Sequence, residues 1–302
     1  MPAPERILVF GPAGTAKTYQ GLLIARCARA MGARVFVLDT DHAYAKMIER
    51  QFPDLAMFVR IAEVDEYSGA KGTLKAFAKE LKPPDWLFID FADDLWKFAQ
   101  RHFIQEIFHE DMGQYFLEAR KKLGVDATSL FGGRDSALKG WLDWPVINNL
   151  YYDLWWPVVH KFPCNIYATA HPVTLGDEED RIAREMFGPY GVKPAGQKDL
   201  WHQFSTIFLL TQPHQDKWAI TTLKDRNIGK EQYMDHVNLY SLPMQYLGPV
   251  VDMAYLRAAV ASRPNPANQT PLPTRPPQLL ETGPSGAGGG SGVHLGVPEA
   301  KS

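Results

Sequence analysis

Short apolar runs alternate with amphipathic stretches over most of this chain, and the alternation predicts strands interleaved with helices. Arg6–Phe10 is a compact apolar run and predicts a buried strand. Lys17–Met31, rich in Leu, Ile and Ala, predicts a helix that Gly32 ends. Arg34–Leu38 and Met57–Ile61 predict two more strands, with a helix following near Ala70–Leu81. The breaker Pro83-Pro84 precedes a strand over Trp86–Asp90. An aromatic, mostly helical region then spans 93–161, with a polar glycine-containing break at 124–140. Asn165–Ala170 returns to a strand, and Phe204–Thr211 and Lys217–Leu223 predict a closing pair joined by Gln212–Asp216. The expected fold is an α/β domain over 1–261 with a mainly parallel sheet and a helical insertion at 93–161.

Residues 262–302 break the pattern. They hold eight prolines and seven glycines with almost no aliphatic cluster. Such composition cannot bury enough surface to offset ordering entropy, so a disordered tail is expected. No internal repeat is visible. The whole chain has 302 residues, 45% of them hydrophobic, enough for a sizeable core. Its net charge of −2 argues against coating nucleic acid by bulk charge, although a local basic loop stays open. No apolar run reaches the ~20 residues that a membrane helix needs, and Ile7–Phe10 is too short for a signal peptide. Cys27 and Cys164 lie far apart in apolar stretches and read as buried thiols. A cytoplasmic protein is the expectation.

The chemistry begins at Gly11-Pro12-Ala13-Gly14-Thr15-Ala16-Lys17-Thr18, between a predicted strand and a predicted helix. That context suits a phosphate-binding loop, whose backbone N–H groups and helix N-terminus surround an anion. Lys17 would neutralise the β and γ oxygens of ATP, and the Thr18 hydroxyl would ligate Mg2+. Ala16 stands where a glycine is usual. Alanine is allowed there if the position enters the helix with a negative φ. An ordinary glycine-rich turn and a loop that binds nucleotide without hydrolysing it are the alternatives.

Asp90 ends the apolar run Leu87-Phe88-Ile89, where open α/β sheets place their ligands. It is expected to hold Mg2+ with Thr18, although an aspartate there also caps helices well. Asp93 and Asp94 follow as candidates for the same metal shell or as solvated first-turn acids. After the second strand, Asp39-Thr40-Asp41 offers an acid to orient or deprotonate the attacking water. Asp41 is preferred over Asp39, with a turn and helix cap as the alternative. His171 ends the strand at Asn165–Ala170 and is a candidate to sense the γ-phosphate through a hydrogen bond, or a plain surface residue. Lys224 and Arg226 follow the last strand and project to one side if extended. They read either as a cationic pair completing a neighbouring subunit's phosphate site or as a solvated turn.

Taken together, the loop at 11–18, Asp39–Asp41, Leu87–Asp90, His171 and Lys224-Asp225-Arg226 resemble RecA-like P-loop ATPases. The resemblance is nearest to a small phage-encoded branch of nucleotide-binding, single-strand-annealing recombination ATPases, and covers approximately 5–230. It implies a RecA-like core, ATP with Mg2+, and a homo-oligomer in which the Lys-x-Arg pair acts in trans. Ala16 and the length of 93–161 depart from that pattern.

Two polar segments are candidate contacts for single-stranded DNA. One runs from Arg120-Lys121-Lys122 through Gly132-Gly133 to Arg134 and Lys139; the other is Arg181–Lys198, with Phe187 and Tyr190. Exposed connections or subunit contacts explain them equally well. Trp141, Trp144, Trp155 and Trp156, with Tyr151 and Tyr152, read as the core of the helical insertion. The expected function is a Mg-dependent ATPase acting on DNA in recombination or annealing. An ATP-driven virion-assembly or packaging component and a small-molecule kinase are the alternatives.

Overall fold

The computed structural model describes residues 4–123, 142–214 and 217–226. In chain order they form β1 (Arg6–Phe10), α1 (Lys17–Ala30), β2 (Val35–Asp39), α2 (Tyr44–Gln51), β3 (Val59–Glu63), α3 (Tyr67–Ala78) and β4 (Trp86–Asp90). Then come α4 (Ala92–Phe108), α5 (Met112–Leu123), α6 (Asp143–Lys161), β5 (Asn165–Ala170) and β6 (Pro172–Thr174). The last described elements are α7 (Arg181–Phe187), β7 (Val192–Pro194), β8 (Thr206–His214) and β9 (Lys217–Asp225).

Seven strands form one sheet in the order β3-β2-β4-β5-β1-β8-β9. All neighbours run parallel except β8 and β9, which pair antiparallel. The sequence reason is visible in β1. Ile7 and Val9 enter the core against α1 and α2, while Leu8 and Phe10 enter the core against α3, α4 and α6. Side chains alternate faces with period two, so a strand buried on both faces reads as a continuous apolar run. Each such side chain contributes about 1.5–3 kcal/mol by leaving water. Arg6 pins the opposite end of β1: its guanidinium donates to the carbonyls of Val159 in the last turn of α6 and of Phe162 and Cys164 just after it.

Parallel pairing sends the C-terminal ends of β1, β2, β4 and β5 to one edge of the sheet, and the loops after these strands meet there. β4 and β1 are not neighbours; β5 lies between them.

Several boundaries differ from the sequence reading. The third strand is Val59–Glu63, and Met57 is fully exposed before it. The helix at Tyr44–Gln51 was not anticipated; its polar face hides an apolar stripe of Tyr44 and Ile48. The closing pair is longer than expected, with β8 reaching His214 and β9 reaching Asp225. The expected loop Arg181–Lys198 is instead built from α7, a 3-10 turn at Gly188–Tyr190 and β7. Asp180 caps α7 by accepting from the Ala183 N–H, and Phe187 is fully buried against Phe10 and Trp201. Phe187 therefore has no face to offer a base. In the insertion, Tyr151 and Trp155 are core residues as expected, whereas Trp156 is half exposed. Trp141, the break at 124–140 with Arg134 and Lys139, and the tail at 262–302 lie outside the described residues. Cys27 and Cys164 are buried and are not joined in a disulfide. Among the described residues no helix is long and apolar enough to cross a membrane.

Candidate active site

The loop from Gly11 to Thr18 turns tightly between β1 and α1. Gly11 is required by close approach: a Cβ there would lie 2.2 Å from the Leu210 carbonyl oxygen of β8. Gly14 has φ +79°, a left-handed conformation that glycine takes without steric cost. Ala16 also lies there, at φ 68° and ψ 28°. The condition under which alanine fits freely is not met, because the residue sits outside α1 as its N-cap. A left-handed L-residue costs about 1–2 kcal/mol.

Lys17 opens α1 and folds back over the loop. Its ammonium donates to the carbonyls of Gly11 at 2.7 Å and Pro12 at 2.9 Å, and lies 5.3 Å from the centre of the Phe91 ring. Burial lowers its pKa, opposed by the charges of Asp90, Asp93 and Asp41. Thr15 closes the turn through its hydroxyl to the Pro12 carbonyl at 2.8 Å. Tyr167 of β5 holds down the first turn of α1 by donating to the Lys17 carbonyl at 2.7 Å.

Thr18 and Asp90 meet. The Thr18 hydroxyl donates to Asp90 Oδ2 at 3.0 Å, and Thr169 of β5 donates to Asp90 Oδ1. Asp90 is fully buried, and its pKa rises to about 6. Burial is the main cause; the two threonine hydroxyls oppose it, and the nearby charges of Asp39 and Asp41 add to it. A carboxylate kept from water beside a hydroxyl suits a hard divalent cation, which would restore its charged form. Thr18 and Asp90 thus fit the role of holding Mg2+.

The loop after β2 is tied to the same place by Thr40. Its backbone N–H donates to the Asp90 carbonyl at 2.6 Å, and its hydroxyl accepts from the Phe91 N–H at 2.7 Å. The Thr40 hydroxyl also lies 2.9 Å from Asp94 Oδ2. Asp39 is buried and holds the turn into α2, accepting from the N–H groups of Asp41 at 3.2 Å and of Tyr44, the first residue of α2, at 3.0 Å. Burial pushes its pKa up, and those backbone donors oppose the rise. Asp41 is exposed at the rim, within electrostatic reach of both Lys17 and Asp90.

His171 follows β5 and pairs with Asp93 in the first turn of α4. Its backbone N–H donates to Asp93 Oδ1 at 3.1 Å, and its Nδ1 lies 3.0 Å from Asp93 Oδ2. The imidazole stacks on Phe91 with centroids 3.8 Å apart. Burial pushes the Asp93 pKa up, but hydrogen bonds from the His171 ring and backbone, the His171 charge when its ring is protonated, and the charge of Lys97 win and hold it below the usual range.

Lys224 and Arg226 lie elsewhere. Lys224 is inside β9, not after it, and pairs with Ile207 near the start of β8. Ser205, just before β8, accepts from the Arg226 N–H and donates its own N–H to Arg6. Both residues are therefore at the N-terminal edge of the parallel strands, about 15 Å from the loop by strand rise. Lys224 Nζ lies 3.4 Å from the carbonyls of Trp201 and His202, while Arg226 is exposed. Neither belongs to the phosphate site of its own chain.

The sheet thus brings together the loop at 11–18, Asp41, Asp90 and His171, and leaves Lys224 and Arg226 out. Sequence reasoning missed the Asp93–His171 pairing, Thr40, Thr169 and Tyr167. Period-two spacing from Tyr167 through Thr169 to His171 is the one signal that places β5 side chains toward the site.

Residues 3–110 match the family model of the AAA domain. The match runs from β1 through α4 and includes the phosphate loop, Asp41, Asp90 and Asp93, but not His171 or the Lys224–Arg226 pair. No curated protein matches the chain. The similarity to AAA domains supports reading residues 3–110 as a P-loop ATPase segment that binds and hydrolyses nucleotide.

Proposed function

We propose that this protein hydrolyses ATP in a Mg2+-dependent reaction and uses it to act on single-stranded DNA in recombination or annealing. One observation carries the ATPase part: the Thr18 hydroxyl meets the buried Asp90 carboxylate at the mouth of the loop that carries Lys17. In this reading the loop's N–H groups hold the β-phosphate. Lys17 leaves the carbonyls of Gly11 and Pro12 for the phosphate oxygens, and Thr18 and Asp90 hold the metal. Bound there, Mg2+ would supply charge neutralisation at the β and γ oxygens.

Support for the DNA part is the likeness of the five motifs to recombination ATPases, together with one structural connection. The module β6-α7-β7 starts directly after His171 and returns to it, the Ala195 N–H donating to the His171 carbonyl at 2.8 Å. A ligand seated on that module would be felt at the phosphate edge. Arg226, exposed at the far edge, is assigned to a neighbouring copy's site in a homo-oligomer. The setting proposed is the cytoplasm, that of the host if the chain is phage-encoded.

Turnover of ATP by the purified full chain should require Mg2+ and rise when single-stranded DNA is added. Absence of Mg2+-dependent turnover overturns the ATPase reading. Turnover that ignores DNA overturns the DNA reading alone.

A further inference from the structure

Five ionisable groups stand near the phosphate edge as candidates to take a proton from water: Asp39, Asp41, Asp90, Asp94 and His171. Asp39 accepts from the Asp41 and Tyr44 N–H groups, Asp90 accepts from two threonine hydroxyls, and Asp94 accepts from the Thr40 hydroxyl and the Lys97 ammonium. Asp41 is exposed at the rim, and no hydrogen bond to its carboxylate is made among the described residues. His171 is different. Its ring is held between a carboxylate and an aromatic face, with the side chain 43% exposed.

We infer that Asp93 and His171 form a catalytic dyad, in which Asp93 fixes the imidazole so that Nε2 accepts a proton from the water attacking the γ-phosphate. The inference rests on the ATPase reading and adds a residue role to it. Three observations carry it. The Asp93 carboxylate is 1% exposed, already accepts the His171 backbone N–H, and faces Nδ1 at 3.0 Å. An ionised carboxylate can only accept, so Nδ1 must carry a proton. In the neutral ring Nε2 is then a bare lone pair, which can accept a proton and cannot donate one to a phosphate. No described residue hydrogen-bonds Nε2. Finally, Phe91 places the group. Its ring stacks on the His171 imidazole with centroids 3.8 Å apart and lies 5.3 Å from the Lys17 ammonium, so the imidazole and the lysine of the phosphate loop share one aromatic neighbour.

The step balances without another reactant. Water's oxygen forms a bond to the γ-phosphorus while one of its protons passes to Nε2. The bond from that phosphorus to the bridging oxygen breaks, and its electron pair leaves on ADP. Nε2 then returns the proton to the phosphate product. Asp93 stays ionised throughout, stabilising the transient imidazolium through Nδ1–H, in the manner of other carboxylate–histidine pairs. His171 is thereby assigned to water activation and not to donating a hydrogen bond to the γ-phosphate.

The test combines a spectroscopic and a kinetic readout on the full chain. Two-bond proton–nitrogen correlations of 15N-histidine protein, recorded where the ring is neutral, should show His171 protonated at Nδ1. Asp93→Asn should lose that preference. Removing a positioned base lowers turnover by ~10²–10⁴. Both Asp93→Asn and His171→Ala should fall by that factor while ATP affinity stays within threefold. The double variant should be no slower than the slower single one, because the two residues act as a unit. His171→Ala changes a half-exposed side chain and serves even if Asp93→Asn does not fold. An Nε2–H tautomer in the unaltered protein, or His171→Ala turnover within threefold of it, overturns the dyad. An Nδ1–H tautomer with no ATP turnover in the unaltered protein overturns the ATPase reading and with it the dyad's catalytic role.

Discussion

Thr18 and Asp90, seventy-two residues apart, join the first turn of α1 to the end of β4 by a 3.0 Å hydrogen bond. The contact spans the intervening strand β5, which contributes Thr169 to the other carboxylate oxygen. Asp90→Asn keeps the shape and removes the charge that burial penalises. Folded stability should hold or rise, since the buried charge is what costs free energy. Mg2+-dependent ATP turnover should fall by ~10² or more, the scale expected when a group acting on transition-state charge is removed. Thermal denaturation beside steady-state turnover checks both; unchanged turnover would remove Asp90 from the site.

Ala16 is strained where glycine is not. Ala16→Gly relieves the left-handed cost, part of which returns as extra freedom of the unfolded chain. A net stabilisation of about 0.5 kcal/mol is expected by urea denaturation. Loss of stability in Ala16→Gly would show that the methyl group contributes packing that outweighs its backbone strain.

Gly21 and Tyr44 are coupled by space. A Cβ at Gly21 would sit 2.6 Å from Tyr44 Oη, a buried hydroxyl with no hydrogen-bond partner among the described residues. Gly21→Ala should cost about 1–3 kcal/mol through overpacking. Tyr44→Phe should cost little, since it removes an unsatisfied group. The double variant should recover part of the loss, with Tyr167 Cε1 at 3.1 Å setting the remainder. Additive effects in the double-mutant cycle would deny the contact.

The sequence-to-structure relation is uneven for physical reasons. Strands β1, β4 and β5 were legible to the residue because each is a buried, mostly apolar run that stops at a glycine or a polar residue: Gly11 after β1, Asp90 at the end of β4 and His171 after β5. The loop at 11–18 was legible because backbone geometry demands Gly11 and Gly14. The sign of φ at Ala16 stayed open because it belongs to the turn and leaves no mark on composition. Asp93 and His171 could not be paired in advance: they meet only because β5 is laid beside β4, which is a long-range choice of strand order. Arg181–Phe187 looked like loop because a seven-residue helix needs only a cap at Asp180 and two buried residues, Ala183 and Phe187.

Lys224 gives stability a pH signature. Burial, with a smaller contribution from Arg226, lowers its pKa from 10.5 to about 8. The unfolded state then binds more protons between about pH 8 and 10.5, so this residue makes stability rise with pH across that window. Lys224→Met should flatten the rise relative to the unaltered chain. Parallel slopes in the two proteins, from denaturation at pH 8 and pH 10, would place the Lys224 amine in water.

Lys17 is the residue on which the nucleotide reading turns. Lys17→Ala removes the ammonium, which among the described residues donates to the carbonyls of Gly11 and Pro12, and keeps the backbone cradle. Mg2+-dependent ATP turnover by the full chain, measured beside the affinity for a fluorescent ATP analogue, is the most direct test. The account predicts near-complete loss of turnover with weakened nucleotide binding and an unchanged fold. Turnover in Lys17→Ala equal to that of the unaltered protein would contradict it.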